Sequence, residues 1–175
     1  MNKIASMEKI KAVFLDRDGV INRDGGYVCR AEDFEFLSGV PEALAGFSRL
    51  GYELFVVTNQ SGIGRGYYSL EDFFSLNEYM LDELAKNGVR IRGVYFCPHA
   101  PEANCECRKP RAGMILRAAS EWDVDLERSI MIGDKDSDVV AGRAAGVGKC
   151  YKIGAGVGEY SNLKAVFEAV NSNLN

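Results

Sequence analysis

Ala12-Val13-Phe14-Leu15 is a short apolar run that breaks without a spacer into Asp16-Arg17-Asp18-Gly19. Asp is depleted in strands, so Asp-x-Asp-Gly at the carboxyl end of a strand-like run reads as a turn whose side chains lean into a cleft. Two carboxylates one residue apart suit a hard cation such as Mg²⁺, a nucleophile paired with a general acid/base, or both. Taken alone, an Asp-Gly turn that merely caps a strand is the commoner explanation. The rest of the chain overturns it, because the same arrangement recurs.

Leu54-Phe55-Val56-Val57 runs into Thr58-Asn59-Gln60-Ser61-Gly62, and Val94-Tyr95-Phe96 into a Cys/His loop that ends Arg108-Lys109-Pro110. Ile130-Met131-Ile132 runs into Gly133-Asp134-Lys135-Asp136-Ser137-Asp138. Helical stretches separate these runs. Pro41 opens one, with Ala43, Leu44, Phe47 and Leu50 at helical spacing and Gly51 as its stop. Ser69 and Asp72 form a capping-box pattern for a helix to about Asn87, another spans about Gly113 to Trp122, and another ends at Ala145 before Gly146. A fifth strand at about 149–153 and a helix at about 162–171 complete the alternation. Strands alternating with helices predict an α/β fold, a Rossmann-like three-layer sandwich with a central parallel sheet and right-handed crossovers. The polar stretch from Asn22 to Gly39 is expected to be a loop over the cleft. Gly62, Gly64 and Gly66 are expected to keep their loop mobile or close to a ligand, and the tail 171–175 is expected to fray.

At 175 residues, 47% hydrophobic and 26% charged, the chain is long enough for one sizeable core, and a single domain over 1–175 is expected. A net charge of −4 argues against a broad phosphate-backbone-binding face. No run approaches the ~18 apolar residues of a membrane span, and Met1 to Lys11 does not read as a secretory signal, so a cytoplasmic location is expected; the sequence does not show whether Met7 is an alternative start.

Cys97, His99, Cys105 and Cys107 give Cys-x-His, five residues, then Cys-x-Cys, whereas Cys29 and Cys150 stand alone. Four soft or borderline ligands with no open position suit structural Zn²⁺ in a loop at about 97–107. Buried cysteines acting as small hydrophobes fit less well, because Glu102, Asn104 and Glu106 make the loop polar. The loop immediately precedes Arg108 and Lys109, so zinc there would fix two cations at the cleft without taking part in chemistry. Carboxylates from two strands, a hydroxyl and an ammonium at one sheet edge are what phosphoryl transfer needs. No Gly-x-x-x-x-Gly-Lys loop exists to cradle a nucleotide triphosphate, so hydrolysis is favoured over kinase chemistry.

The order Asp16-x-Asp18-Gly-Val, Thr58 after an apolar strand, Lys109, then Gly133-Asp134 with Asp138 resembles the haloacid-dehalogenase-superfamily phosphatases over nearly the whole chain. Further segments, Asp-Arg-Asp-Gly-Val-Ile-Asn, Gly26-Tyr27-Val28, Arg65-Gly66-Tyr67, Cys97-Pro98-His99 and Cys105-Glu106-Cys107-Arg108-Lys109-Pro110 among them, are similar to the family's heptose 1,7-bisphosphate phosphatase branch. Histidinol-phosphate phosphatases are the neighbouring branch. The resemblance implies a haloacid-dehalogenase-like fold without a large cap, and a Mg²⁺-dependent phosphoric monoester hydrolase that removes the 7-phosphate in heptose biosynthesis for lipopolysaccharide. It makes Asp16 the nucleophile that becomes an aspartyl-phosphate and Asp18 the general acid, then base. It assigns Mg²⁺ to Asp16, the backbone carbonyl of Asp18 and Asp134, with Asp138 orienting from behind. Thr58 and Lys109 would hold the phosphoryl oxygens with help from Asn59 and Arg108. Asp24, Gly25, Gly26, Tyr27, Gln60, Ser61 and Lys135 fall where the family contacts substrate, although Lys135 also reads as a counter-ion for the carboxylates.

Three positions depart from the family pattern: the short stretch between His99 and Cys105, Ala112 in place of a second proline, and Gly25 in place of a histidine. Histidinol phosphate, a polynucleotide 3′-phosphate end, or a catalytically silent zinc-stabilised binding module remain as alternatives. The expected partner is a small sugar phosphate, with no nucleic acid, no membrane and a monomeric state.

Overall fold

The computed structural model describes residues 8–156 and 158–173. Met7, most of the stretch read as lacking a signal, Val157 and the last two residues of the tail lie outside them.

The centre of the sheet is β1 (Lys11–Leu15), with β2 (Tyr52–Asn59) on one side and β4 (Ile130–Gly133) on the other. Outside β2 lies β3 (Ile91–Cys97), and outside β4 lies β5 (Lys149–Lys152); every pairing is parallel. The chain winds outward from β1 through β2 to β3, then crosses back to β4 and β5. The winding therefore reverses beside β1, and a crevice opens there at the carboxyl ends of the strands. Leu15 is in register with Val56 and Ile132, so the turns after all three strands emerge at one edge.

Alternate residues of β1 face opposite layers, as the period of a strand requires. Val13 and Leu15 pack with Leu44 and Phe47 of α1 (Val40–Arg49), Leu76 and Met80 of α3 (Leu70–Lys86), and Val166 of α6 (Leu163–Ser172). Ala12 and Phe14 pack with Ile115 of α4 (Gly113–Trp122) and Ala141 of α5 (Asp136–Ala145). Covered on both faces, β1 needs no polar side and is apolar after Lys11. Leu15 is completely buried, and truncating such a leucine to Ala costs about 2–5 kcal/mol. The expected three-layer α/β sandwich is therefore present. Among the described residues no inserted element stands over the sheet as a cap, the longest connection being 16–39.

Local differences from the sequence expectation have physical causes. Thr58 and Asn59 belong to β2 itself, because they pair with Phe96 and Cys97 of a longer β3. The 22–39 segment is anchored: Val28 and Phe34 enter the core, Asn22 bridges to Phe36, and Ala31–Asp33 forms a 3₁₀ turn. The segment after β2 contains a short helix, α2 (Ser61–Gly64), instead of an open glycine loop. A Cβ at Gly64 would lie 2.8 Å from the Pro98 carbonyl oxygen and the Ala100 nitrogen, so this glycine admits the Cys/His loop, not a ligand. The capping box opens α3 as expected, with Ser69 N donating to Asp72 Oδ2 at 2.8 Å and Asp72 N to Ser69 Oγ at 3.1 Å.

Candidate active site and metal centres

A cleft of about 460 Å³ lies over the carboxyl end of β1, bordered by Asp16, Asp18, Tyr27, Arg108, Lys109 and Lys135. That volume suits a small-molecule ligand. Asp24, Gly26, Asn59, Gln60, Ser61 and Asp138 also reach the cleft, whereas Gly25 and Thr58 do not line it.

Asp16 follows the last residue of β1 and continues its ladder, its amide donating to the Ile132 carbonyl at 3.0 Å. Its Oδ1 accepts from the Arg17 amide at 2.8 Å and lies 3.0 Å from Lys109 Nζ, which fixes the rotation of the carboxylate. Lys109 is 3% exposed and fully engaged: besides Asp16, its ammonium pairs with Asp138 Oδ1 at 2.6 Å and donates to the Val57 carbonyl at 2.7 Å. Burial pushes the Lys109 pKa down, but the two carboxylates outweigh it and the net shift is upward, so the residue stays charged. Burial raises the Asp16 pKa, with Lys109 opposing and Asp138 reinforcing the rise.

Asp134 brings a third carboxylate to this edge. One oxygen from each of Asp16, Asp134 and Asp138 lies within 4.8 Å of the others, and Asp134 Oδ1 is buried without a partner among the described residues. A buried carboxylate oxygen lacking a donor, beside two further carboxylates, fits a hard divalent cation. Burial, together with Asp16 and Asp138 against the relief from Lys135, pushes the Asp134 pKa up to about 6. Gly19, at φ 85°, lets this carboxylate approach: a Cβ there would sit 2.3 Å from Asp134 Oδ2. Asp138 is otherwise committed, since its Oδ2 accepts from the Lys135 amide at 3.0 Å in the capping box of α5. Lys135 Nζ lies 3.3 Å from Asp24 Oδ2, joining the loop after β1 to the turn after β4.

Arg108 is half-buried beside the cleft, and its Nη1 is buried without a partner among the described residues. Asn59, expected to help hold phosphate, instead uses both amide atoms on the backbone of Lys109. Gln60, expected to touch substrate, donates to Asp18 Oδ2 at 3.0 Å and Thr58 Oγ1 at 2.8 Å and accepts from Tyr68 at 2.6 Å. Tyr68 and Ser137 border the cleft without having been singled out. Tyr68 is eight residues past Gln60 in a segment that reads as a loop, and no local spacing signals their contact.

Cys97 ends β3, and the loop after it brings His99, Cys105 and Cys107 back to it. The sulfur–sulfur distances Cys97–Cys105 and Cys105–Cys107 are both 3.4 Å, and His99 Nδ1 lies 3.3 Å from Cys107 Sγ and 3.6 Å from Cys97 Sγ. The sulfurs are too far apart for disulfides, which need about 2.05 Å. They are close to the roughly 3.5–3.8 Å that separates thiolate and imidazole ligands around one tetrahedral Zn²⁺. Arg111, not anticipated as part of this knot, binds the loop through the Asn104 and Cys105 carbonyls at 2.8 and 2.9 Å.

Residues 106–164 match a family model described as HAD-hydrolase-like. A D-glycero-beta-D-manno-heptose-1,7-bisphosphate 7-phosphatase of Helicobacter pylori (strain J99) is 57% identical over 138 residues, covering 78% of this chain and 79% of its own. A D-glycero-alpha-D-manno-heptose-1,7-bisphosphate 7-phosphatase of Campylobacter jejuni is 49% identical over 164 residues, covering 90% and 94% respectively. Among solved structures, a D,D-heptose 1,7-bisphosphate phosphatase of B. bronchiseptica, complexed with magnesium and phosphate, matches with a TM-score of 0.85 at 30% identity, covering 94% of this chain and 99% of that one.

Proposed function

This chain belongs to the haloacid-dehalogenase-like hydrolases, among the heptose-1,7-bisphosphate 7-phosphatases, and we propose that it hydrolyses the 7-phosphate of D-glycero-D-manno-heptose 1,7-bisphosphate in heptose supply for lipopolysaccharide. The observation that carries this is the buried Lys109 ammonium set between Asp16 and Asp138 in a cleft bordered by Arg108, whose Nη1 has no partner among the described residues.

Asp16 attacks phosphorus and becomes an aspartyl-phosphate, while Asp18 protonates the departing sugar oxygen. In the second half Asp18 removes a proton from water, which attacks the acyl phosphate and restores Asp16; the acid of one step must be the base of the next. Lys109 neutralises charge on the nucleophile and, as the transition state forms, on the phosphoryl oxygens. Arg108 holds an oxygen of the bound substrate through its guanidinium. Asp16, Asp134 and the Asp18 carbonyl would hold Mg²⁺, which supplies neutralisation of phosphate charge beside the nucleophile. Cys97, His99, Cys105 and Cys107 would hold a structural Zn²⁺ that keeps Arg108 and Lys109 at the cleft. The proposal includes a single domain working as a cytoplasmic monomer.

The relatives divide between the alpha and beta anomers, so the test is a phosphate-release panel with Mg²⁺ containing both anomers of the heptose bisphosphate, histidinol phosphate and a 3′-phosphorylated oligonucleotide. One heptose anomer should be turned over with the highest kcat/KM, and Asp16→Asn should abolish that turnover with the fold retained. Faster release from histidinol phosphate or the oligonucleotide would replace the substrate assignment; full activity in pure Asp16→Asn protein would remove the nucleophile.

A further inference from the structure

A fully buried arginine between the two carboxylates has no part in the mechanism above. Arg17 follows a strand whose last four residues are completely buried, and it is itself 0% exposed. An apolar side chain would be the ordinary occupant, because a guanidinium taken out of water costs free energy unless its donors are used.

Two of its three nitrogens are used, chiefly on Asp18, while Nη1 is buried without a partner among the described residues. Arg17 Nε and Nη2 donate to Asp18 Oδ1 at 3.3 and 3.1 Å, and Nη2 also reaches Oδ2 at 3.1 Å. The same Nη2 lies 2.8 Å from the Val28 carbonyl, which ties the carboxylate to the anchored 22–39 segment. Asn22 Nδ2 adds a donor to Oδ1 at 2.9 Å, and Gln60 Nε2 adds one to Oδ2 at 3.0 Å. A planar fork plus two amides on one carboxylate defines its rotation, which a single point charge does not.

The Gln60 amide is held from its far side. The Tyr68 hydroxyl donates to Oε1 at 2.6 Å, so the opposite end of the amide, which carries the donors, faces Asp18 and Thr58. With that amide reversed, its oxygen would oppose a carboxylate oxygen. Burial pushes the Tyr68 pKa up to about 12, so the phenol remains a donor. Tyr68 is packed against Gly62, where a Cβ would lie 2.1 Å from its ring, so the ring has a fixed seat.

We propose that Arg17, Gln60 and Tyr68 are positioning residues for the acid/base step: Arg17 clamps the Asp18 carboxylate to the loop at Val28, and Tyr68 locks the Gln60 amide that holds its other oxygen. Asp18 thereby meets the leaving oxygen, and later water, in one orientation. This rests on the acid/base role given to Asp18 above. It also gives Gln60 a task distinct from contacting substrate.

The test uses Tyr68→Phe, which removes one hydroxyl and keeps the ring, and Arg17→Lys, which keeps the charge and removes the fork. Each is measured alone and in the Asp18→Asn background, with heptose bisphosphate and with p-nitrophenyl phosphate, whose leaving group needs little protonation. Tyr68→Phe should lower kcat on the sugar phosphate roughly 3- to 10-fold, the loss of one buried hydrogen bond, and leave KM unchanged. Arg17→Lys should lower it on the order of 10- to 100-fold, as misplacement of a reacting group does. Losses should be smaller with p-nitrophenyl phosphate, and neither change should add to Asp18→Asn, because a residue acting only through Asp18 has nothing left to position. Unchanged kcat in both folded variants, equal losses on the two substrates, or full additivity with Asp18→Asn would overturn the inference. If Arg17→Lys does not fold, the Tyr68→Phe cycle decides alone. Full activity in Asp18→Asn itself removes the acid/base assignment and this inference together. A crippled Asp18→Asn beside fully active Tyr68→Phe and Arg17→Lys overturns the positioning alone.

Discussion

Two hydrogen bonds join the Asn59 side chain to the backbone of Lys109: Nδ2 donates to the carbonyl at 3.1 Å, and Oδ1 accepts from the amide at 3.0 Å. Asn59 ends β2, whereas Lys109 follows the Cys/His loop that leaves β3. The pair therefore fastens the loop's exit to the sheet, and the cysteine and histidine knot fastens its body. The Lys109 ammonium is thus placed from both directions before it reaches Asp16.

Asn59→Ala should remove this fastening while leaving the carboxylates in place. The expected loss of stability is about 1–3 kcal/mol for two partly buried hydrogen bonds, with kcat lower on the order of 10- to 100-fold. Chemical denaturation and steady-state kinetics on one preparation check both. Unchanged kcat would show that the knot alone places Lys109.

Lys109 and Arg108 are adjacent and should fail differently. Lys109→Met keeps volume but leaves Asp16 and Asp138 buried without their cation, a change that costs roughly 3–5 kcal/mol in comparable buried pairs. Because the help of Lys109 grows with transition-state charge, kcat should fall far more than KM rises. Arg108→Ala removes a half-buried group whose Nη1 has no partner among the described residues, so KM should rise as well as kcat fall. Unchanged kcat and KM in Arg108→Ala would make that residue structural.

The two metals should separate. Brief EDTA treatment should remove Mg²⁺ and activity together, with Mg²⁺ alone restoring it, while zinc stays with the folded loop. Protein purified without chelator should contain about one equivalent of zinc for its four ligands. Elemental analysis giving less than about half an equivalent would withdraw zinc from the site.

Acid should weaken Mg²⁺ binding through Asp134. Its pKa is pushed up to about 6 from 3.8, chiefly by burial, and a carboxyl ligand must lose its proton to bind metal. Apparent Mg²⁺ affinity should thus fall about tenfold per pH unit below about 6, followed by calorimetry from pH 7.5 to 5. The sign for stability is opposite. A folded-state pKa above the unfolded value means the folded state holds the proton more tightly, so this group destabilises metal-free protein at neutral pH. That cost is relieved as pH falls through about 6 and is gone below 3.8. An Mg²⁺ affinity flat across this range would show that the Asp134 carboxyl is not raised to about 6.

What the sequence determined by itself is what depends on near neighbours. Apolar runs ending in polar clusters located the strands and the edge where the cleft lies, because burial on both faces leaves β1 no polar alternative. Ser69 and Asp72 announced their helix because a capping box closes within one turn. Four ligand-type residues within eleven positions marked the knot because a short loop has few ways to spread them. Only the tertiary structure decided which polar atoms meet. Strand order brings Asn59 to Lys109, Asp138 to the same ammonium, and Tyr68 through Gln60 to Asp18, contacts between segments whose spacing carries no period. It also set the conformation of the 22–39 segment, whose Val28 and Phe34 pack into the core that residues of α1 and α3 share. Buried hydrogen bonds and ion pairs are satisfied by whatever the packed chain brings within about 3 Å, and that distance is a property of the assembled sheet and not of any one stretch of sequence.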